Sequence, residues 1–355
     1  MKRLAILGGG YGGMRILQRL FASGFPDDYE ITLIDRTPFH SLKTEFYALA
    51  AGTVPENYIR VAFPEHEKLT IHNAEVERID LDEQKIILED GWEIAYDELI
   101  IGLGCEDNYH DVPGAKEHTL SIQTIRQARH TYTVLNNLPM NSRVAIVGAG
   151  LSGVELASEL YESRPDLDIR LFDRKPTILA NFPKKISEFV NEWFVEHGIK
   201  IISHANITKV SEGVLYNHDE PIPVDAIVWT AGIKPNQIVC DLDVEKDESG
   251  RVILTPHHYV PDYPNVYVVG DCASLPFAPS AQLAEVQGEQ IVDVLLKRWR
   301  GEPLDEEPPE IKLKGTLGSL GKKQGFGLIN EIPLIGRVPR LLKSGVLWLY
   351  KFQNA

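Results

Sequence analysis

Two glycine clusters in this chain are spaced for binding phosphate. Gly8-x-Gly10-x-x-Gly13, with Gly12 inside the same turn, follows the apolar run Leu4-Ala5-Ile6-Leu7, and Gly148-x-Gly150-x-x-Gly153 follows Val144-Ala145-Ile146-Val147. In this pattern the first glycine makes the turn out of a strand, the second lets the backbone approach a pyrophosphate, and the third lets the next helix pack closely on the strand. The helix N-terminus adds unpaired N–H groups and the positive end of a dipole. Asp35 stands 22 residues after Gly13, and Asp173 stands 20 after Gly153. At those positions a carboxylate can accept the hydroxyl hydrogens of an adenosine ribose. One glycine turn alone also occurs between strand and helix without a ligand, and Asp35 taken singly could be a strand-end acid in a solvated turn. In the second copy Asp173 favours the free 2′-hydroxyl of NADH over the 2′-phosphate of NADPH, while the neighbouring Arg174 could stack on adenine or accept a phosphate.

The elements around these loops repeat. Residues 4–13 match residues 144–153 at an offset of 140, and Ile31-Thr32-Leu33-Ile34-Asp35-Arg36 matches Ile169-Arg170-Leu171-Phe172-Asp173-Arg174 at an offset of 138. Each copy reads as strand, glycine turn, amphipathic helix and a second strand ending in an acid, which is a βαβ unit. The expected fold class is therefore α/β, with two Rossmann-like dinucleotide-binding domains and a short C-terminal amphipathic segment. Short strands are expected over 69–103, and Pro113-Gly114 marks a crossing between domains. Helices are expected over Lys185 to His197 and from about Ser280 to Arg300, and a strand over 265–269 ends at Gly270-Asp271. The acidic, proline-rich stretch 303–309 is a linker.

A net charge of −15 disfavours nucleic acid, whose phosphates demand Lys and Arg. Cys105, Cys240 and Cys272 are too few and scattered for a disulfide framework, consistent with a reducing compartment, and no metal site is expected. The apolar run after Met1-Lys2-Arg3 stops at Gly8, too early for a signal peptide, and no run reaches the roughly 18 residues of a membrane span. Residues 333–355 hold Arg337, Arg340, Lys343 and Lys351 and no acid, a local charge of +4 against −19 for the remainder. On a helix beginning near Pro339, Leu341, Leu342, Gly345, Trp348, Leu349 and Phe352 share one broad face. Such a segment either docks peripherally on anionic lipid or packs on its own domain.

The two glycine units, Thr230-Ala231-Gly232 and the late Gly270-Asp271 together resemble the two-dinucleotide flavoprotein oxidoreductases. Within them, Arg36-Thr37-Pro38-Phe39-His40, Tyr96-Asp97-Glu98-Leu99-Ile100-Ile101-Gly102-Leu103-Gly104, Gly148 to Glu155, Trp229 to Ile233 and Ala281-Gln282-Leu283-Ala284-Glu285-Val286-Gln287-Gly288 are similar to type II NADH dehydrogenases, the single-subunit NADH:quinone oxidoreductases. The likeness implies FAD on the first unit and NADH on the second. It implies residues 1–112 and 236–315 as the FAD domain, 113–235 as the NADH domain and 316–355 as the C-terminal segment. It implies cofactor contacts from the two glycine loops, Ser152, Asp35, Arg36, Thr44, Val76, Gly104, Asp173, Gly232, Gly270, Asp271, Ala281 and Gln282. Glu155, Gln282 and Gln287 are the expected catalytic residues; Glu155 reads equally as a favourable acid in a first helical turn. Two departures stand out. Val286 replaces the first of two successive glutamines, and the C-terminal segment is short.

The reaction implied is hydride transfer from NADH to flavin and then to a quinone. A soluble acceptor such as ferredoxin or a small oxidant, and a low-turnover flavin redox sensor, are the alternatives. Cys272, beside Asp271 but without a C-x-x-C partner, reads as a small buried residue. Expected partners are NADH, a membrane quinone, a membrane surface and a second copy of the chain. The expected location is cytoplasmic, at the inner face of the cell membrane.

Overall fold

The computed structural model describes residues 1–353, so Asn354 and Ala355, the end of the C-terminal segment, lie outside the described residues. The chain divides into two compact units. One comprises Met1–Ser41, Val61–Glu106 and Lys234–Leu313; the other comprises Leu42–Arg60, Asp107–Ile233 and Lys314–Ala355. Against the boundaries expected from sequence, 42–60, 107–112 and the C-terminal segment all group with the second nucleotide unit.

In the first unit a six-stranded sheet runs in the order Tyr259–Val260, Tyr263–Val268, Glu98–Ile101, Lys2–Leu7, Tyr29–Asp35, Leu69–Asn73. Its inner pairings are parallel, with Leu4 opposite Ile31 and Ile6 opposite both Leu33 and Ile100. Leu4 to Leu7 are completely buried, as a parallel strand covered on both faces requires. In the second unit four parallel strands run in the order Lys200–Ile202, Asp168–Phe172, Arg143–Val147, Ala226–Trp229. Each sheet has a helix leaving its glycine turn, Tyr11–Ser23 in one and Leu151–Ser163 in the other. Two Rossmann-like units in one chain are thus present.

Helices occupy Lys184–Glu196 and Ala281–Trp299, where periodicity places them. Ser280 starts the latter by accepting the Leu283 N–H at 3.1 Å, a side-chain cap worth about 1 kcal/mol. The linker is tied down: Asp305 pairs with Lys297 at 2.7 Å, and its carbonyl accepts from His257 Nε2 at 2.9 Å.

After the linker, Gly315–Leu320, Gln324–Ile329 and Ile332–Gly336 form an antiparallel meander. The helix Arg337–Gln353 follows. It begins two residues before Pro339, so that proline sits in the first turn, where a missing N–H removes no helical bond. Its face bearing Val338, Leu341, Val346, Trp348, Leu349 and Phe352 is exposed, with Trp348 at 62% and Phe352 at 68%. Pro339 and Lys343 point inward. The two readings of the segment are therefore not exclusive: the helix packs on its own unit by one side and presents its apolar side outward. No described helix is long and apolar enough to cross a membrane.

Candidate nucleotide and redox sites

Each glycine loop is shaped as a phosphate cradle. Gly8 has φ +93°, and a Cβ there would lie 2.3 Å from the Gly102 carbonyl oxygen. A Cβ on Gly13 would lie 2.1 Å from Gly8 O, and one on Gly153 would lie 1.9 Å from Gly148 O, so the helices can approach only because these residues lack side chains. Gly12 packs against Val269 in the same way. A Cβ on Gly10 or Gly150 would meet nothing within 4 Å. Those two glycines are the N-caps of their helices, neither with a side-chain cap and neither helix with an acid in its first turn. Open space, uncapped N–H groups and a dipole fit a pyrophosphate.

The acids are drawn onto the loops. Asp35 Oδ2 accepts the Gly9 N–H at 2.7 Å, and its Oδ1 accepts from Thr37 N at 2.7 Å and Thr37 Oγ1 at 2.8 Å. Asp173 Oδ2 accepts from Ala149 N at 2.6 Å, and its Oδ1 accepts from Lys175 N at 2.7 Å. The same loop residues are also held through their carbonyls. His40 Nδ1 donates to Gly9 O at 2.8 Å, and Leu179 N donates to Ala149 O at 2.9 Å. Arg36, Arg174 and Lys175 are exposed, and Ser152 is exposed in the first turn of its helix.

His40 was carried in the sequence only as part of a string. Burial pushes its pKa down to about 4, against smaller upward contributions from Gly9 and Asp35. Between pH 6.5 and about 4 the unfolded chain binds a proton that the folded chain refuses. The His40 contribution to stability is therefore full above pH 6.5 and falls as pH drops through this window, by about 3 kcal/mol in all. A His40→Gln variant, with an amide to donate to Gly9 O, is expected to flatten the Tm-versus-pH curve between pH 6.5 and 4. An unchanged slope would remove His40 as its source.

The remaining expected residues separate into distinct environments. Gly270, at φ +76°, opens the short turn Gly270–Cys272 that carries Asp271. Ala281 and Gln282 are half-buried at the start of the long helix. Gln287 is 0% exposed, and both ends of its amide are used: Oε1 accepts from Gly270 N at 2.8 Å and Nε2 donates to Val268 O at 2.9 Å. Gln287 lies five helical residues from Gln282, well over a quarter-turn around the helix, and its side chain faces the core. Gly104, at φ +71°, offers its carbonyl to Asn236 N at 3.0 Å and Cys272 Sγ at 3.0 Å. Burial pushes the Cys272 thiol up to about 12, which suits a packed rather than a reactive cysteine. Val76 begins a strand and packs in the core of the first unit. Gly232, at φ +118°, leaves room for His110, whose Nε2 donates to Ala231 O at 2.6 Å. Thr44 is exposed in the single turn Lys43–Glu45.

Glu155 lies in the second turn of its helix, not the first, so the helix dipole does not account for it. Its carboxylate is buried and bonded to the Lys343 ammonium, and Oε1 accepts the Ser319 N–H at 2.8 Å. Lys343 also donates to Tyr47 OH at 2.9 Å and lies 3.9 Å from Glu45 Oε1. Burial opposes the charge on Lys343, but Glu155, Tyr47 and Glu45 outweigh it and hold the ammonium protonated. Glu45 is pushed up to about 7 by burial, moderated by Lys343 and reinforced by Glu155. The group is a buried cation between two carboxylates, one of which takes up a proton near neutrality. Of the four bases of the C-terminal segment, Lys343 is the buried anchor of its helix. Glu45, Tyr47 and Ser319 escaped sequence reading because nothing local marks them, with Tyr47 296 residues from Lys343.

The sequence pattern of the family described as pyridine nucleotide-disulphide oxidoreductase matches residues 2–289. The chain is 64% identical over 354 residues, spanning all of both chains, to the NADH dehydrogenase-like protein YutJ of Bacillus subtilis. It is 25% identical over 381 residues, covering 97% of this chain and 93% of the other, to a type II NADH:quinone oxidoreductase of Staphylococcus aureus. The fold is shared with the NDH2 structure from Plasmodium falciparum in complex with NADH, at TM-score 0.84 and 16% identity, over 99% of this chain and 96% of that one. With two dinucleotide cradles and this kinship, the chain belongs to the pyridine nucleotide-disulphide oxidoreductase family and is an NADH-dependent flavoprotein oxidoreductase.

Proposed function

We infer that the protein passes electrons from NADH through FAD to a membrane quinone. The observation that carries the acceptor is the C-terminal helix, whose outward face of large apolar side chains fits a lipid surface in which a quinone dissolves. FAD, held by Gly8–Gly13, Asp35 and the Gly270–Asp271 turn, supplies the two-electron carrier between nicotinamide and acceptor. Gly148–Gly153 and Asp173 hold NADH and orient it. Quinone reduction consumes protons, and the Glu45–Lys343–Glu155 group is a buried store of them near neutral pH. Glu155 and Gln282 are the residues assigned to the reaction.

One observation favours a soluble acceptor instead: with Val286 in place of a glutamine and Gln287 turned into the core, the helix string that resembles the quinone enzymes keeps Gln282 alone of its expected amides in an accessible position. The two readings part in one experiment. Full-length protein is compared with a Leu341→Ser/Trp348→Ser/Phe352→Ser variant, measuring sedimentation with anionic liposomes and NADH oxidation by a membrane-embedded quinone and by ferricyanide. The quinone reading expects the variant to lose liposome binding and quinone turnover by about tenfold or more while ferricyanide turnover is kept. Equal quinone turnover with and without the face would transfer the assignment to a soluble oxidant. NADH oxidation that is negligible with every acceptor, alongside tight FAD and NADH binding, would mark a redox sensor.

A further inference from the structure

The long helix Ala281–Trp299 carries two buried glutamines, Gln287 and Gln290, with the buried His258 set against both. Gln290 Nε2 donates to Pro309 O at 2.5 Å, and its Oε1 lies 2.7 Å from His258 Nε2. His258 Nδ1 lies 3.4 Å from Gln287 Nε2, and Gln287 reaches Gly270 N and Val268 O. Backbone groups whose polarity cannot reverse close both ends of this chain of bonds. Pro309 O can only accept, so Gln290 must turn its oxygen to His258. Gly270 N–H can only donate and Val268 O only accept, so Gln287 must turn its nitrogen to His258. The imidazole is therefore fixed as the neutral tautomer with its proton on Nε2. His258 also holds φ +67°, a backbone strain that the surrounding bonds must sustain.

We propose that Gln287 and His258 are positioning residues for the flavin, holding the Gly270–Asp271 turn in the conformation that receives FAD, and that protonation of His258 releases it. A proton on Nδ1 would set a donor against the Gln287 amide hydrogens and turn that amide away from Gly270. Burial lowers the pKa of His258, Gln290 opposes this, and among the described residues the charge acting on the ring is that of His257, which lowers it further. Gln287 and Gln290, both uncharged, face the ring from the helix, and from the strand Val268 N donates to the His258 carbonyl at 3.2 Å. The release accordingly belongs to mild acid below the ordinary histidine range. The inference rests on the assignment of FAD to the first glycine loop and of Asp271 to its binding.

The test is the FAD dissociation constant, read from the fluorescence of released flavin between pH 8 and pH 5, for wild type, Gln287→Leu, Gln287→Glu and Asp271→Ala. Gln287→Leu should weaken FAD by about tenfold or more at pH 8, since Gly270 N–H and Val268 O lose their partners. In Gln287→Glu the carboxylate still accepts from Gly270 and can accept from protonated His258, so acid release is expected to shrink or reverse. His40 is common to wild type and Gln287→Glu, so its titration cancels between them. Identical pH profiles for those two proteins, or Gln287→Leu within about twofold of wild type, would overturn the proposal. If Gln287→Leu does not fold, the Gln287→Glu profile decides alone. An unaltered FAD constant in Asp271→Ala would instead overturn the assignment of the turn to the flavin.

Discussion

A Lys343→Met variant is expected to be about 3–5 kcal/mol less stable than the wild-type chain, with the unfolding of its nucleotide unit shifted down by upwards of about 6 °C. The methionine fills similar volume but leaves the Glu155 carboxylate buried with only the Ser319 N–H, and Glu45 close by. An uncompensated buried charge, more than the loss of a contact, sets the size of the effect. Lys343→Met/Glu155→Gln should recover most of the loss, because the neutral amide can still accept from Ser319. The pH dependence has a definite sign. A carboxyl whose folded pKa is raised is stabilised by its proton, so its contribution is present below about pH 4.5 and lost as pH rises through the folded value. Glu45 already behaves this way up to about pH 7 in the wild type. The variant should therefore lie closest to wild type in mild acid and furthest from it above pH 7. Thermal denaturation of the three proteins at pH 5.5 and pH 8 checks this, and a single mutant as stable as wild type at pH 8 would show that the pair contributes nothing net.

The second large effect concerns coenzyme choice. Asp173→Ser should lower kcat/KM for NADH by about tenfold to a hundredfold and raise that for NADPH, shifting the ratio of the two by about a hundredfold or more. In the proposed function the carboxylate accepts from ribose hydroxyls and would repel a 2′-phosphate. Arg174 and Lys175 are exposed directly after it, so two cations stand ready once the repulsion is gone. Serine keeps an oxygen for the loop N–H that Asp173 now holds at 2.6 Å. Steady-state kinetics with both coenzymes measure the switch. A loss of NADH activity without a gain for NADPH would mean that the two cations do not reach the phosphate.

The fold was legible because βαβ nucleotide units are written in local pattern. Buried parallel strands demand unbroken apolar runs, and the close approaches at Gly13 and Gly153 tolerate no Cβ, so both leave marks within about thirty residues of sequence. Helix starts were legible for the same reason: Ser280 caps and Pro339 in a first turn are local devices. Faces were legible only by halves. Helical spacing gathered Leu341, Trp348, Leu349 and Phe352 on one side, yet the pattern could not say which side turns inward. A buried lysine decides it, satisfied by carboxylates from segments far away in the chain.

What the sequence by itself determined, then, is a pair of dinucleotide cradles with their acids, and hence a flavoprotein oxidoreductase. Tertiary structure alone decided what the buried polar side chains do. Gln287 became a support for Gly270, His258 acquired one tautomer, and Glu155 acquired Lys343 and Ser319 as partners. The physical reason is that glycine turns act through backbone sterics between near neighbours. A buried amide, imidazole or carboxylate takes its role from whichever donor or acceptor folding brings beside it, and that partner carries no fixed distance along the chain.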